Sequence, residues 1–263
     1  PTDQGTPQGG IISPILANMA LDGMEDLIMK RYPKMKVHFV RYADDFVVTT
    51  PTREIAEEVK SLISDFLAKR GLTLSESKTK ITHINDGFDF LGINIRKYKG
   101  VLLMKPSKES VKKITRKIGL VLLKAAAWNQ DKVIQKLNPI IIGWTNYHRH
   151  IASTKTFNRM DFILWNQLWQ WAKRRHPDKG HKWVAKRNWS KKGNRNWVFC
   201  SEEQTLKMFS ETSIRRHFMV KLDRNPFLDR EYFLNRIERM KKRTPDVQVK
   251  LTYFPIYRPK FGL

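Results

Sequence analysis

Asp44 and Asp45 are adjacent carboxylates set between two apolar, β-prone runs in the stretch Phe39-Val40-Arg41-Tyr42-Ala43-Asp44-Asp45-Phe46-Val47-Val48. The runs read as antiparallel strands, which puts the acids at or near a hairpin tip. Tight tips favour Gly or Asn because those residues accept positive φ easily, and Ala43-Asp44-Asp45 supplies neither. A broken turn preference where two like charges meet marks a site rather than a spacer. Neighbouring carboxylates repel unless a cation sits beside them, and Mg²⁺ is the usual hard cation for oxygen ligands.

The elements that must hold this tip lie on both sides of it. Residues 1–12 are a Gly/Pro loop, and Ser13-Pro14 is expected to start a helix with Ser13 as N-cap and Pro14 at the first helical position. Leu16, Met19, Ala20, Gly23 and Leu27 give that helix one apolar stripe, ending before Pro33. The hairpin follows over roughly residues 37–50. Thr52 caps a second helix carrying Ile55, Val59, Leu62, Ile63, Phe66 and Leu67, and Gly71 ends it. Strand-like runs come next at Leu72–Leu74, Lys80–Ile84, Phe88–Ile95 and Val101–Leu103. The order helix, hairpin, helix, strands matches the later part of a split β-α-β, ferredoxin-like sheet whose first strand is expected upstream of Pro1.

From Pro106 the periodicity turns helical. Ser107 caps a helix with Val111, Ile114, Ile118 and Val121 inward. A second helix starts near Asp131, carries Val133, Leu137, Ile141, Trp144 and Ile151, and should kink at Pro139. A third runs from about Thr156 to Arg175 with Phe157, Met160, Leu164, Leu168 and Trp171 inward, and Pro177 stops it. Three such helices make a bundle. Beyond residue 178 the pattern is less regular: Trp197–Phe199 is a short strand, and Glu203–Phe209 and Arg230–Lys242 are helices. The expected class is α+β: a partial ferredoxin-like sheet with helices over 1–105, a three-helix bundle over 106–177, and a basic region over 178–263.

Charge divides the chain along the same line. Residues 1–105 carry a net +2 and residues 106–263 a net +23, out of +25 overall, and all eight Trp fall in the second part. A one-sided excess of this size attracts polyanions, of which a nucleic-acid backbone is the usual one. No apolar stretch is long enough to span a bilayer, so a membrane role is not expected. The single Cys200 excludes a disulfide within the chain and any Cys-x-x-Cys zinc site. An intracellular setting, bacterial cytoplasm or organelle, fits that usage.

Four blocks in order resemble a reverse transcriptase of the group II intron family. They are Gly5-Thr6-Pro7-Gln8-Gly9-Gly10-Ile11-Ile12-Ser13-Pro14-Ile15-Leu16-Ala17-Asn18, Tyr42-Ala43-Asp44-Asp45, Gly71-Leu72-Thr73-Leu74-Ser75-Glu76-Ser77-Lys78-Thr79-Lys80, and Gly87-Phe88-Asp89-Phe90-Leu91-Gly92. Gly143-Trp144-Thr145-Asn146-Tyr147 then resembles the thumb, or maturase-specific domain X, of the intron-encoded subgroup. The resemblance implies a palm (1–105), a thumb or domain X (106–177) and a basic DNA-binding region (178–263). It also implies RNA-directed DNA synthesis together with support of intron splicing.

Under that resemblance Asp44 is the principal Mg²⁺ ligand and catalytic carboxylate, with Asp45 secondary. Gln8, Gly9, Gly10, Tyr42 and Ala43 line the incoming nucleotide. Lys78 lies near the triphosphate, with Lys80 competing for that role, and Phe90-Leu91-Gly92 resembles the primer grip. The basic residues Lys112, Lys113, Arg116, Lys117, Lys124, Arg149, Arg174 and Arg175 are expected to meet RNA or DNA. Trp165, Trp169 and Trp171 read as packing, whereas Trp183, Trp189 and Trp197 sit among Lys and Arg and read as base-stacking candidates. His148 and His150 read as surface or RNA-contacting rather than metal-binding. The implied partners are intron RNA, template-primer, target DNA and deoxynucleotides.

Two-metal phosphoryl transfer needs a further carboxylate, which the family places on a strand before the Pro-Gln-Gly loop. Asp3 lies in the loop itself and is a poor replacement, so residues 1–263 alone are expected not to polymerise. Two other readings stand beside this one: a non-catalytic splicing cofactor that keeps the shell for RNA binding, and a reverse transcriptase of another bacterial retroelement.

Overall fold

The β-prone runs around the two acids do form a hairpin. The computed structural model describes residues 12–215, 221, 224 and 228–243, and pairs β1 (His38–Tyr42) with β2 (Asp45–Thr49) antiparallel, Phe39 opposite Val48 and Tyr42 opposite Asp45. Before it stand two short helices, α1 (Ser13–Leu21) and α2 (Met24–Arg31). One continuous helix was expected here. Gly23 interrupts it at φ +81°, a left-handed conformation that ends one helix and re-aims the next. Ser13 is also not the N-cap: Ile12 occupies that position without a side-chain cap, and Ser13 opens the first turn beside Pro14.

Helix α3 (Arg53–Ala68) follows the hairpin, and Thr52 accepts a hydrogen bond from Ile55 N at its start. Its end is a Schellman arrangement: Gly71 N donates to Ala68 O and Leu72 N to Leu67 O, with Gly71 at φ +69°. One face of α3 (Val59, Ile63, Phe66, Leu67) packs with Met24, Ile28, Val37 and Phe39 into a first apolar core.

The runs at 72–74 and 80–84 are not strands; they are mostly irregular chain on either side of a turn closed by Lys78 N and Thr79 N on Ser75 O. Phe88–Ile95 is likewise not one strand. It divides into β3 (Phe88–Phe90) and β4 (Ile93–Tyr98) because Leu91 and Gly92 both take positive φ, +49° and +75°. With β5 (Val101–Pro106) these form a three-stranded antiparallel sheet in the order β3-β4-β5. Among the described residues this sheet and the acidic hairpin are separate sheets, so no single ferredoxin-like sheet is formed by residues 12–106.

The bundle follows the helical periodicity. Helices α4 (Lys108–Lys124), α5 (Gln130–His148) and α6 (Thr154–Arg175) bury Ile118, Leu137, Ile141, Phe157, Met160 and Leu168 in a second core. Each such side chain contributes roughly 1.5–3 kcal/mol on full burial. Ser107 and Asn129 cap α4 and α5 through Ser110 N and Lys132 N. Pro139 lies inside α5, and Ile151 lies beyond its end rather than on it. The same core takes in α7 (His181–Asn188) and the hairpin of β6 (Trp189–Lys192) and β7 (Arg195–Phe199).

Residues 203–208 are not helical, and only a 3₁₀ turn at Phe209–Glu211 is present. The buried Asp161 of α6 fixes that turn by accepting hydrogen bonds from Phe209 N (2.6 Å) and Ser210 N (3.1 Å). Helix α8 (Arg230–Arg243) stands where the amphipathic pattern puts it.

Candidate functional site

Only Ala43 and Asp44 separate the hairpin strands, and Ala43 takes φ +55°. A positive φ at the first central residue alone is the sign pattern of a II′ turn, which normally takes Gly there. An Ala in that position costs about 1–2 kcal/mol relative to an ordinary backbone, so something must hold it. Arg41 does: its guanidinium donates to Ala43 O and to Asn18 Oδ1 of α1, each at 3.0 Å. The tip is thereby tied to the helix that follows the Gly-rich block.

Directly opposed residues share a face of a hairpin. Asp45 therefore projects on the side of Tyr42, while Phe39 and Phe46 stack on the other at 5.8 Å toward the core. Asp44 and Asp45 are exposed, and Val40 and Tyr42 leave an exposed floor beside them. Asp44 sits in the turn rather than in a strand, so strand alternation does not decide which of the two acids leads. Among the described residues no three His, Cys, Asp or Glu side chains gather into a metal cluster. Gln8, Gly9 and Gly10 lie outside the described residues. Lys78 is exposed in the Ser75–Lys78 turn.

A second constellation joins distant parts of the chain. The left-handed turn at Leu91-Gly92 is held from the bundle: Tyr147 Oη donates to Leu91 O at 2.7 Å, and Ser107 N donates to Gly92 O at 2.9 Å. A Cβ on Gly92 would stand 3.6 Å from Ser110, whose hydroxyl takes the Trp144 indole N–H (3.1 Å) and meets His148 Nε2 (3.1 Å). So Tyr147 of α5 reaches the sheet directly, while Trp144 and His148 meet Ser110, the α4 residue nearest Gly92. His148 is buried, contrary to the surface reading, and burial lowers its pKa to about 4, which keeps it neutral. His150 Nδ1 lies 2.7 Å from Arg215 O. Nothing in the local sequence around Tyr147, Arg41 or Asn18 signals these roles. Their partners lie 23 and 56 residues away, beyond any local pattern.

The cationic candidates divide. Lys112, Arg116, Lys117 and Lys124 are exposed along α4, and Lys113 is exposed but paired with Glu109 one turn earlier (2.8 Å). Lys113 and Lys117 edge a groove of about 340 Å³ between α4 and α5, with Pro139, Gly143 and Trp144 as its floor. Arg174 is exposed at the end of α6. Arg149 and Arg175, by contrast, are committed internally. Arg149 bonds Asn146 Oδ1 and Ser213 O, and Arg175 donates to Trp128 O and Ala126 O while lying over the Trp171 ring. Both tie loops to helices, because carbonyls left open at chain turns draw in the nearest guanidinium.

The tryptophans also divide. Trp171 is buried with its N–H on Ala125 O, and Trp165 stacks on Trp169, as expected of packing. Trp189 is only 6% exposed and cannot stack on a base, whereas Trp183 and Trp197 are 42% and 55% exposed.

Two family models match the chain in sequence order. Reverse transcriptase (RNA-dependent DNA polymerase) covers residues 1–95, and group II intron, maturase-specific domain covers residues 111–189. The chain is 32% identical over 123 residues to Protein YkfC of Escherichia coli (strain K12), covering 34% of this chain and 32% of that protein. It is 26% identical over 236 residues to an uncharacterized 91 kDa protein in the cob intron of Schizosaccharomyces pombe, covering 58% of this chain and 29% of that protein. It is 27% identical over 156 residues to group II intron-encoded protein LtrA of Lactococcus lactis subsp. cremoris, covering 36% and 26%. The chain thus spans between about a quarter and a third of the length of these curated relatives.

Proposed function

The chain belongs to the reverse transcriptase and maturase family of group II introns, and on that footing we propose that its protein copies RNA into DNA and binds intron RNA to support splicing. The observation that carries the polymerase half is the Asp44-Asp45 pair on a strained tip pinned to α1, inside the segment matched by the reverse transcriptase family. Residues 1–105 then serve as the later part of a palm, 106–177 as thumb and domain X, and 178–263 as a basic nucleic-acid-binding region.

The donor set fits a hard divalent cation. Two exposed carboxylates offer oxygens only, and Mg²⁺ takes about six, so water, substrate phosphate and a further carboxylate would have to supply the rest. Asp44 and Asp45 would hold Mg²⁺ there, and the bound ion would supply charge that offsets the leaving pyrophosphate and eases deprotonation of the primer 3′-hydroxyl. Asp44 is the principal ligand and Asp45 the secondary one. Arg41 and Asn18 fix where those carboxylates stand, and a fixed dipole costs no reorganisation when charge develops. Tyr42 and Ala43, with Gln8, Gly9 and Gly10, line the nucleotide, and Lys78 approaches the triphosphate. Phe90, Leu91 and Gly92 bear on the primer strand, with the Gly92 backbone able to approach closely. Lys112, Lys113, Arg116, Lys117, Lys124 and Arg174 follow the phosphates of template-primer or intron RNA.

Asp44→Ala in the intact protein tests this. Mg²⁺-dependent DNA synthesis on a primed RNA template should disappear while intron RNA binding and splicing support persist. Synthesis that survives the substitution would remove the catalytic role of Asp44, and an intact protein that makes no DNA yet still supports splicing would favour a splicing cofactor built on the same shell. Among the described residues no helix is long and apolar enough to cross a membrane, and the working setting is the intracellular one where introns are transcribed.

A further inference from the structure

We propose that the β6–β7 hairpin is a base-stacking site for single-stranded RNA, with Trp197 as the platform and Lys191 and the end of α7 as its phosphate contacts. The hairpin from Ser190 onward lies outside both matched family segments; the choice of RNA as ligand rests on the proposed function.

Every residue from Ser190 to Trp197 is exposed, while Val198 and Phe199 behind them are buried. An indole with more than half its surface in water forgoes burial that its neighbours obtain. Yet this ring is not loose. It stands edge-on to Trp165 at 6.2 Å and 84°. Trp165 stacks on Trp169 at 5.5 Å and 9°, and both pack on the buried Trp189. A side chain fixed this way loses little rotamer freedom when a flat ligand covers it. Trp183 is less open, with His176 against it at 4.9 Å and Lys179 Nζ 5.6 Å from its centroid.

The charge around the ring selects the ligand. Residues 178–199 hold seven Lys or Arg against one acid, Asp178. Two of these cations brace the hairpin: Lys192 bonds Thr205 Oγ1 (2.7 Å) and Arg195 pairs with Glu211 (3.0 Å). Lys186, Arg187 and Lys191 are exposed and make no ion pair among the described residues. A second copy of a +25 chain would bring like charge to this face. An acidic peptide would answer the lysines but not the planar ring. An unpaired nucleic-acid strand answers both, because it presents phosphates and open base faces together; in a duplex those faces are already stacked.

The test uses the intact protein and its Trp197→Ala, Trp197→Phe and Lys191→Ala forms. Binding of a short end-labelled single-stranded oligoadenylate, the same strand in a duplex, and its DNA counterpart is measured across a salt series. Trp197→Ala should weaken single-strand binding about tenfold without changing the salt slope, and Phe should restore most of it. Lys191→Ala should lower the slope by about 0.7, the contribution of one phosphate on a single strand. Duplex affinity should not move, and RNA should outbind DNA. Unchanged single-strand affinity in Trp197→Ala overturns the site, as does an equal loss on duplex, tighter binding of DNA, or a change in self-association. Extension of a primed template is followed in parallel. An active polymerase whose strand affinity ignores Trp197 refutes the hairpin site alone, and absent synthesis counts against the polymerase reading alone.

Discussion

Replacing Tyr147 by Phe removes one oxygen and one hydrogen bond, the 2.7 Å contact from α5 to Leu91 O. The side chain is 53% exposed, so the bond competes with water and belongs near the low end of the usual 0.5–1.5 kcal/mol. What it restrains is costly: Leu91 at φ +49° stands about 1–2 kcal/mol above an ordinary backbone conformation. The Ser107 N to Gly92 O bond remains. Losing about 0.5–1 kcal/mol should therefore not collapse the turn but raise its open population roughly two- to fivefold, at 1.4 kcal/mol per factor of ten. Amide hydrogen exchange of residues 91–93 reports that population directly and should quicken by the same factor. Tm should fall by no more than ~4 °C, since one kcal/mol moves a chain of this size by about 2–4 °C. On the proposal that the Leu91-Gly92 turn bears on the primer, KM for template-primer should rise by a similar factor while KM for the nucleotide stays put. A Leu91→Gly background removes the backbone strain and should mute the effect of Tyr147→Phe, giving a coupling term of a few tenths of a kcal/mol or more. Unchanged exchange at residues 91–93, or full additivity with Leu91→Gly, would refute the idea that the bundle holds this turn.

Ala43→Gly should stabilise the hairpin by up to about 1 kcal/mol because Gly takes φ > 0 without strain, whereas Ala43→Val should destabilise it; chemical denaturation of both separates strain from packing. Arg41→Ala releases the tip from α1, and nucleotide incorporation should fall with little change in the unfolding midpoint. Asp161→Ala strands two backbone N–H groups and should cost about 1–3 kcal/mol, read by thermal unfolding. His148 gives a pH signature. Its folded pKa of about 4 lies below the ordinary 6.5, so the unfolded chain binds the extra proton first. Stability should be intact above pH 6.5 and decline toward pH 4 by at most ~3 kcal/mol, a slope that His148→Gln should flatten.

Elements with a strong local signal were legible from the chain alone. The alternating runs around residues 39–48 gave the hairpin, and the 3.6-residue periodicity gave α3 and α4, starting at their caps Thr52 and Ser107, and α6 to within two residues, while α5 stops short of Ile151. Where one backbone angle overrode a pattern, the pattern misled. Gly23 split a stripe that reads as one helix, and Leu91-Gly92 split a run that reads as one strand. Residues 203–208 look helical by spacing, but Asp161 reaches across from α6 and draws the backbone just beyond them into a turn.

Side-chain commitments followed the same divide. The sequence alone determined that two carboxylates would share a hairpin tip and that positive charge and tryptophan would gather in the later half, because those depend on neighbouring residue types and on composition. Which cations and rings face outward was settled by packing between distant segments. Arg149, Arg175, His148 and Trp189 are spent inside the fold, while Trp197 stands in solvent. That choice is made by carbonyls, hydroxyls and rings arriving from tens of residues away, and separation along the chain hides them from any local reading.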